Sequence, residues 1–236
     1  MHKTELAIAT ITLARQPEEE AMLLRGLAAL AASPLPVFVT DGGSVAAFLE
    51  RARSIDGPTW CKPARGLWPQ VRRSLDAARE AGARWILYTE PDKVDFFREN
   101  LRTFIAQAPA NEGSGVVLVS RASEQLATFP VFQQYTESVI NRCCAEVTGR
   151  AFDYSYGPFL LAASVVQHLL PPADEIGWGW RPFAFGIAHR LGLRIEHVPL
   201  AAACPADQRS RSERVYRMQQ LAQSIEGLVL STKVAL

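Results

Sequence analysis

The chain is predicted to be an α/β protein built on a mostly parallel central sheet with helices on both faces. Three observations predict it. Strand-length apolar runs alternate with helix-length segments from residue 6 to residue 120, the pattern of βαβ units. Those runs are continuous rather than alternating, as suits strands buried on both faces. Each run also ends in polar residues, and parallel sheets bind ligands beyond the carboxyl ends of their strands. At 236 residues, 48% hydrophobic and 21% charged, the chain holds enough apolar material for one large domain.

Residues 6–13 (LAIATITL) form the first strand. Pro17 and the acids Glu18 to Glu20 then suit a first helical turn, with carboxylates at the positive end of the helix dipole. Pro34 and Pro36 end this helix near Ala32. Residues 37–40 make a second strand, closed by Asp41-Gly42-Gly43-Ser44, with Ser44 placed to cap a helix over 45–53. A short third strand lies at 59–62. A long helix from Gly66 to Ala81 is closed by Gly82. Residues 84–89 (RWILYT) are the clearest strand, and Glu90-Pro91-Asp92-Lys93 leads from it into a helix over 94–107. Residues 116–120 form another buried strand.

The pattern changes after about residue 121. A helix is predicted over 132–148, an aromatic, glycine-bearing segment over 151–158, and a mostly apolar run over 159–170. A loop over 171–182 carries Trp178-Gly179-Trp180. A helix over 182–191 ends at Gly192, and a last strand lies within 193–200. From Glu213 onward Val215, Met218, Leu221, Ala222, Ile225, Leu228 and Val229 keep helical spacing. This C-terminal helix is expected to pack on its own domain; the alternatives are a partner or peripheral membrane contact.

The formal net charge of +1 gives no global signal for nucleic acid. Four cysteines without a CxxC pair read as reduced thiols rather than a zinc site. No stretch reaches the roughly 20 apolar residues of a membrane span, and no signal peptide is recognisable, so the cytoplasm is the expected location. Walker A, GxGxxG, GxSxG and HExxH motifs are absent.

The chemistry is expected at Glu90 and Asp92. Residues i and i+2 of extended backbone point to one face, and Pro91 disfavours helical geometry at Glu90. Two carboxylates at a strand end suit a hard divalent cation, Mg²⁺ or Mn²⁺, held together with phosphates. The alternative for the same residues is a solvated turn with Asp92 as helix cap.

In this order and spacing the segments resemble the GT-A nucleotide-diphospho-sugar transferases, especially the family 2-like group, over roughly residues 5–200. Leu6 to Glu20 is similar to their first strand and nucleotide loop, Thr40 to Ser44 to their acidic, glycine-rich second strand end, and Glu90-Pro91-Asp92 to their DxD motif. Gly177 to Trp180 and the segment to Pro199 are similar to their acceptor side. The resemblance implies a GT-A-like Rossmann-type sandwich forming a single domain, with 1–121 as the nucleotide-binding half and 122–236 as the acceptor-side half and C-terminal helix.

It further implies a glycosyltransferase that moves a sugar from a nucleotide-diphospho-sugar to a hydroxyl acceptor with Mn²⁺ or Mg²⁺. Asp92 and Glu90 would contact the metal, with His197 completing the set; Asp41 would contact the donor's base or ribose; Thr12, Arg15 and Arg72 would flank nucleotide and phosphates. Tyr156, Trp178 and Trp180 would meet the sugar or acceptor, with Asp153 and Tyr154 on the same side. One departure matters. Inverting members commonly carry an acidic pair after the Trp-Gly segment, whereas here Arg181-Pro182 follows Trp180. Asp174 and Glu175, upstream, are the nearest carboxylates to serve as base. A catalytically silent nucleotide- or sugar-binding domain, or a sugar nucleotidyltransferase, are the alternatives.

Overall fold

The computed structural model describes residues 5–169, 176–205 and 213–236. They form two compact units: Met1–Leu101 with Gly157–Gln167, and Arg102–Tyr156 with His168–Leu236. The expected division after residue 121 is therefore displaced. The reason is a returning strand: the apolar run after Gly157 rejoins the first unit, while the strand that ends at Arg121 belongs to the second.

In the first unit, β1 (Leu6–Thr12), β2 (Val37–Asp41) and β4 (Trp85–Tyr88) are buried along their whole length. The strand order is β3-β2-β1-β4-β6, with β3 at Thr59–Trp60 and β6 at Phe159–Ala162. β1 pairs in parallel with β2 and β4, and β2 with β3. β6 runs antiparallel to β4, placing Phe159 opposite Tyr88. Gly157-Pro158 marks where this strand starts, but no turn residue follows Ala162, so its four residues were hidden inside the longer apolar run. The chain leaves β1 toward β2 on one side and returns to β4 on the other, so the order reverses at β1. That is the topological switch at which such sheets bind ligands.

The connecting helices are α1 (Pro17–Ala31), α2 (Ala46–Arg53) and α3 (Leu67–Glu80). Glu19 reaches back to accept from the backbone N–H of Arg15 (2.7 Å) and Gln16 (3.2 Å), which satisfies donors orphaned at the start of α1. Gly82 follows α3 at φ +91°, as its C-terminal position predicts. The helix expected over 94–107 starts at Val94 and widens into a π turn, Phe96–Asn100, before α4 (Leu101–Gln107). Consecutive Phe96 and Phe97 are both buried, and the wider turn brings two neighbouring side chains inward. Short α7 (Ala163–Val166) follows β6.

The second unit contains the parallel pair β5 (Ser114–Arg121) and β7 (Arg194–Leu200). Its helices are α5 (Ser123–Leu126), α6 (Val131–Thr148), α8 (Trp180–Arg190) and α9 (Arg214–Ser231), with a 3₁₀ turn at Gly177–Gly179. Every residue of α8 from Trp180 to Ala188 is buried, all of them apolar except Arg181, which places the helix inside the core. α9 packs on α6, α8 and the 3₁₀ turn, so the expectation that the C-terminal helix packs on its own domain holds. Among the described residues no helix is long and apolar enough to cross a membrane.

Candidate functional site

The parallel register sets Thr12 beside Asp41, at the adjoining ends of β1 and β2. Both are buried. Asp41 Oδ2 accepts from Thr12 Oγ1 (2.9 Å) and Ser44 Oγ (2.6 Å), and Oδ1 from the backbone N–H of Gly43 and Ser44 (2.8 Å each). Four donors match the capacity of a carboxylate. Ser44 Oγ also accepts from the Ala14 N–H (2.9 Å). Ser44 was expected to cap α2, but Val45 occupies the cap position without a side-chain bond. Its hydroxyl instead ties the end of β1 to the end of β2. The Asp41 carboxylate is thus spent on shaping the Asp41–Ser44 turn, and Gly43, at φ +111°, supplies the backbone that turn needs.

Gln70, on the first turns of α3, is buried against this turn. Its amide donates to the Gly66 carbonyl (2.9 Å), and a Cβ on Gly42 would press into it. The Ala64 N–H bonds to the Asp41 carbonyl (3.0 Å), which brings the exposed side chain of Arg65 to the same strand end. Arg15, exposed, follows β1. Arg72 is placed differently from the expectation. It pairs with Asp76 (3.5 Å) on the outer face of α3, in a groove of about 600 Å³ shared with Trp60, Lys62 and Arg73.

The acidic segment follows β4 at the switch point. The Lys93 N–H bonds to the Glu90 carbonyl (3.3 Å), so residues 90–93 form a β-turn with Pro91 at its second position. The extended backbone expected for Glu90 to Asp92 is corrected: Pro91 fixes the φ a turn requires, and the chain must reverse into the helix that follows. Asp92 does not cap that helix. Its Oδ2 pairs with Lys93 Nζ (2.8 Å), while Oδ1 is buried without a hydrogen-bond partner. Two glycines make room for the turn. A Cβ on Gly26, in the middle of α1, would collide with the Pro91 carbonyl, and a Cβ on Gly157 would collide with the Glu90 carboxylate. An orphaned carboxylate oxygen beside a second carboxylate, in a cradle that glycine keeps open, fits a divalent cation.

The acceptor-side candidates lie in the second unit. Arg121, at the end of β5, is buried and gripped by Asp153 (Nε to Oδ2, 2.7 Å) and Glu137 (Nη2 to Oε2, 2.6 Å). Burial opposes its charge, but the two carboxylates outweigh burial and hold its pKa above the ordinary arginine value. Burial would likewise raise Asp153, yet Arg121 and the bonds from Ser155 bring it down to about 2. The Arg121 guanidinium lies over the Tyr156 ring (5.0 Å), and Arg181 donates to the carbonyls of Ser155 (3.1 Å) and Tyr156 (2.6 Å). Two buried arginines therefore set the segment that carries Tyr156. Tyr154 is core: its hydroxyl bonds to Thr148 (2.6 Å), and burial pushes its pKa to about 12.

Trp178 is half-buried beneath Arg181, and its backbone N–H donates to the Gln223 side-chain carbonyl (3.1 Å). Trp180 is fully buried. Expected in a loop facing sugar, it instead begins α8, because the 3₁₀ turn runs directly into that helix and points the indole into the core. His197 is exposed on β7 and stacks on Phe152 (4.3 Å, 27°). Burial lowers its pKa, Glu196 opposes that, and Arg150 adds to it. Among the described residues no three His, Cys, Asp or Glu side chains gather to hold a metal, so the structure does not bring His197 into a three-residue set with Glu90 and Asp92. Asp174 and Glu175 lie outside the described residues.

Gln70, Gly26, Gly157, Arg121 and Glu137 are the parts that sequence reasoning missed; in the sequence Ser44 reads as a helix cap rather than as a tie between strand ends. Gly26 carried a signal, since glycine inside a helix costs about 1 kcal/mol and asks for a packing reason.

No protein-family model matches the chain, and no curated protein matches it. Solved structures do match. Glucosyl-3-phosphoglycerate synthase from Mycobacterium tuberculosis, in complex with phosphoglyceric acid, superposes with a TM-score of 0.62 at 17% identity, covering 96% of this chain and 81% of that one. The same enzyme with Mn²⁺, UDP-glucose and glycerol 3-phosphate gives 0.64 at 16% identity over the same shares. A mycobacterial protein gives 0.63 at 15% identity, over 96% of this chain and 76% of its own. Likeness at this identity shows the fold: the GT-A-type α/β architecture expected from the sequence is the architecture of this chain.

Proposed function

We propose that the chain is a glycosyltransferase that moves a sugar from a nucleotide-diphospho-sugar to a hydroxyl acceptor with divalent metal assistance. The observation that carries this reading is the acidic turn at the switch point, with Asp92 Oδ1 buried and unpartnered and Glu90 accommodated by Gly157. Glu90 and Asp92 would hold Mn²⁺ or Mg²⁺, which neutralises the charge that builds on a departing nucleoside diphosphate. The Asp41–Ser44 turn would present backbone to the base and ribose, with Thr12 and Asp41 as positioning residues. Arg15 and Arg65 are exposed cations at the same strand ends and would reach the phosphates. Tyr156 and Trp178 would meet the acceptor. The likeness to a solved enzyme bound to Mn²⁺ and UDP-glucose supports the choice of donor class. Four dispersed cysteines without a CxxC pair support our placing the protein in the cytoplasm.

A second reading has its own observation. Where an acidic pair would supply the base, Arg181 is buried with its guanidinium on two backbone carbonyls, an arrangement that supports a domain binding nucleotide-sugars without turnover. Calorimetry with UDP, GDP and their sugars, with and without Mn²⁺, tests both. Metal-dependent binding abolished by Asp92→Ala at unchanged melting temperature is the expected result; no binding to any of them under either condition refutes the donor site. Slow donor hydrolysis in the presence of metal separates the enzyme from the silent domain.

A further inference from the structure

We propose that the outer face of α9 is a docking seam for a second copy of this chain. α9 is locked in rotation by its inner face. Ser224, Gly227, Leu228 and Ser231 are buried. Gly227 and Gly179 approach so closely that a Cβ on Gly227 would collide with the Gly179 backbone and one on Gly179 with the Gln223 carbonyl, while a Cβ on Gly186 would collide with Ser231. The opposite face cannot be turned inward without breaking these contacts.

That opposite face is apolar. Val215, Met218, Ala222, Ile225 and Val229 follow one another at steps of three, four, three and four, the spacing of a coiled-coil seam. All five are exposed, Val215 at 65% and Met218 at 50%. A helix on a protein surface ordinarily turns polar residues outward. α6 packs on α9, where Arg217 approaches Glu137 (4.0 Å), and it too exposes apolar residues at a step of four: Val131, Tyr135 and Val139.

Two arguments choose a second copy over other occupants. A strict three–four repeat interdigitates with an identical repeat, so the seam is complementary to itself. The exposed apolar side chains of both helices sum to an area on the order of 700 Å², close to the roughly 800 Å² per partner of a stable interface. The seam's margins carry mixed charge, with Gln219 and Glu226 on one side and the exposed Arg214 on the other, whereas helices that lie on membranes line their polar face with lysine and arginine.

The test uses the full chain in sedimentation velocity at micromolar concentrations. The expected result is a dimer that Met218→Glu with Ile225→Glu weakens at least tenfold, with melting temperature and far-ultraviolet spectrum unchanged. Ala222→Cys, on the seam, should form covalent dimers under mild oxidation that the wild-type protein does not. Should the double variant fail to fold, this cross-link decides alone. A wild-type monomer throughout, a dimer indifferent to the substitutions, or no cross-link in the Ala222→Cys variant overturns the proposal; so does flotation with anionic phospholipid vesicles that Ile225→Glu abolishes, which would assign the face to lipid. None of these outcomes depends on nucleotide-sugar binding.

Discussion

Asp153 and Asp92 are both aspartates in polar clusters, and they are treated in opposite ways. Asp153 receives six hydrogen bonds, from the Arg121 backbone and guanidinium, Asn141 and both groups of Ser155. Glu137, beside it, accepts from Arg121 and from Gln133. No lone pair of Asp153 is left for anything from outside. Asp92 pairs one oxygen with the adjacent Lys93 and keeps the other buried and unpartnered. A saturated carboxylate is a building element, whereas one held open at a cost in desolvation points to a ligand. The comparison makes a testable demand: stability should be lost when the first cluster is cut and scarcely move when the second is.

Arg121→Met should show the largest effect. It leaves two buried carboxylates without their cation, a defect worth about 3–5 kcal/mol. Urea denaturation of the variant should show a correspondingly lower midpoint, or no folded protein at all. Replacing Arg121, Glu137 and Asp153 together by apolar residues should cost less than the single change, because no stranded charge remains. A triple variant worse than the single one would break the assignment of this cluster as structural.

Acid should reveal the same cluster more gently. The folded pKa of Asp153 is about 2, below the roughly 3.9 of an unfolded aspartate. A depressed folded pKa contributes stability that is fully present above the unfolded value and is lost as pH falls through the folded one. Unfolding free energy should therefore decline between about pH 4 and pH 2, by about 2–3 kcal/mol for this group. Asp153→Asn should flatten that part of the profile while lowering stability at neutral pH.

Much of this architecture was legible in the residues. Continuous apolar runs marked β1, β2, β4 and β5, and Gly82 and Gly192 marked helix ends. What stayed hidden was non-local. β6 is opened by Gly157-Pro158 but has no turn residue at its far end, and its pairing with β4 depends on a chain return from far along the sequence. Glu90-Pro91-Asp92 was found as a motif, but its turn geometry depends on Lys93 and on the space at Gly26 and Gly157. Trp180 reads the same on a sugar-facing loop or in a core, and only the direct run of the 3₁₀ turn into α8 decides between them. Asp41 was identifiable as a strand-end acid, yet its saturation by Thr12 and Ser44 is a property of register.

Gly157→Ala sharpens the comparison at an intermediate level. The added Cβ meets the Glu90 carboxylate, the end of a flexible side chain, so stability should fall by about 1–3 kcal/mol, the range for overpacking. Metal-dependent nucleotide binding should weaken by at least an order of magnitude as Glu90 is pushed aside. Gly26→Ala meets backbone at Pro91 instead and should cost more stability for the same loss of binding.

Asp92→Asn should have the smallest effect on the unliganded protein. It removes a half-exposed ion pair with Lys93, worth about 0–1 kcal/mol, and it replaces a desolvated carboxylate oxygen by a neutral one. These contributions oppose each other, so the melting temperature without ligand should stay near that of the wild type. With Mn²⁺ and a nucleoside diphosphate the two proteins should part: a ligand that binds the native state raises its melting temperature with concentration, and the variant should lose that rise. If Asp92→Asn instead lowered stability as much as Asp153→Asn, the orphaned oxygen would belong to the scaffold. The distinction between spent and unspent carboxylates would then have no functional meaning in this chain.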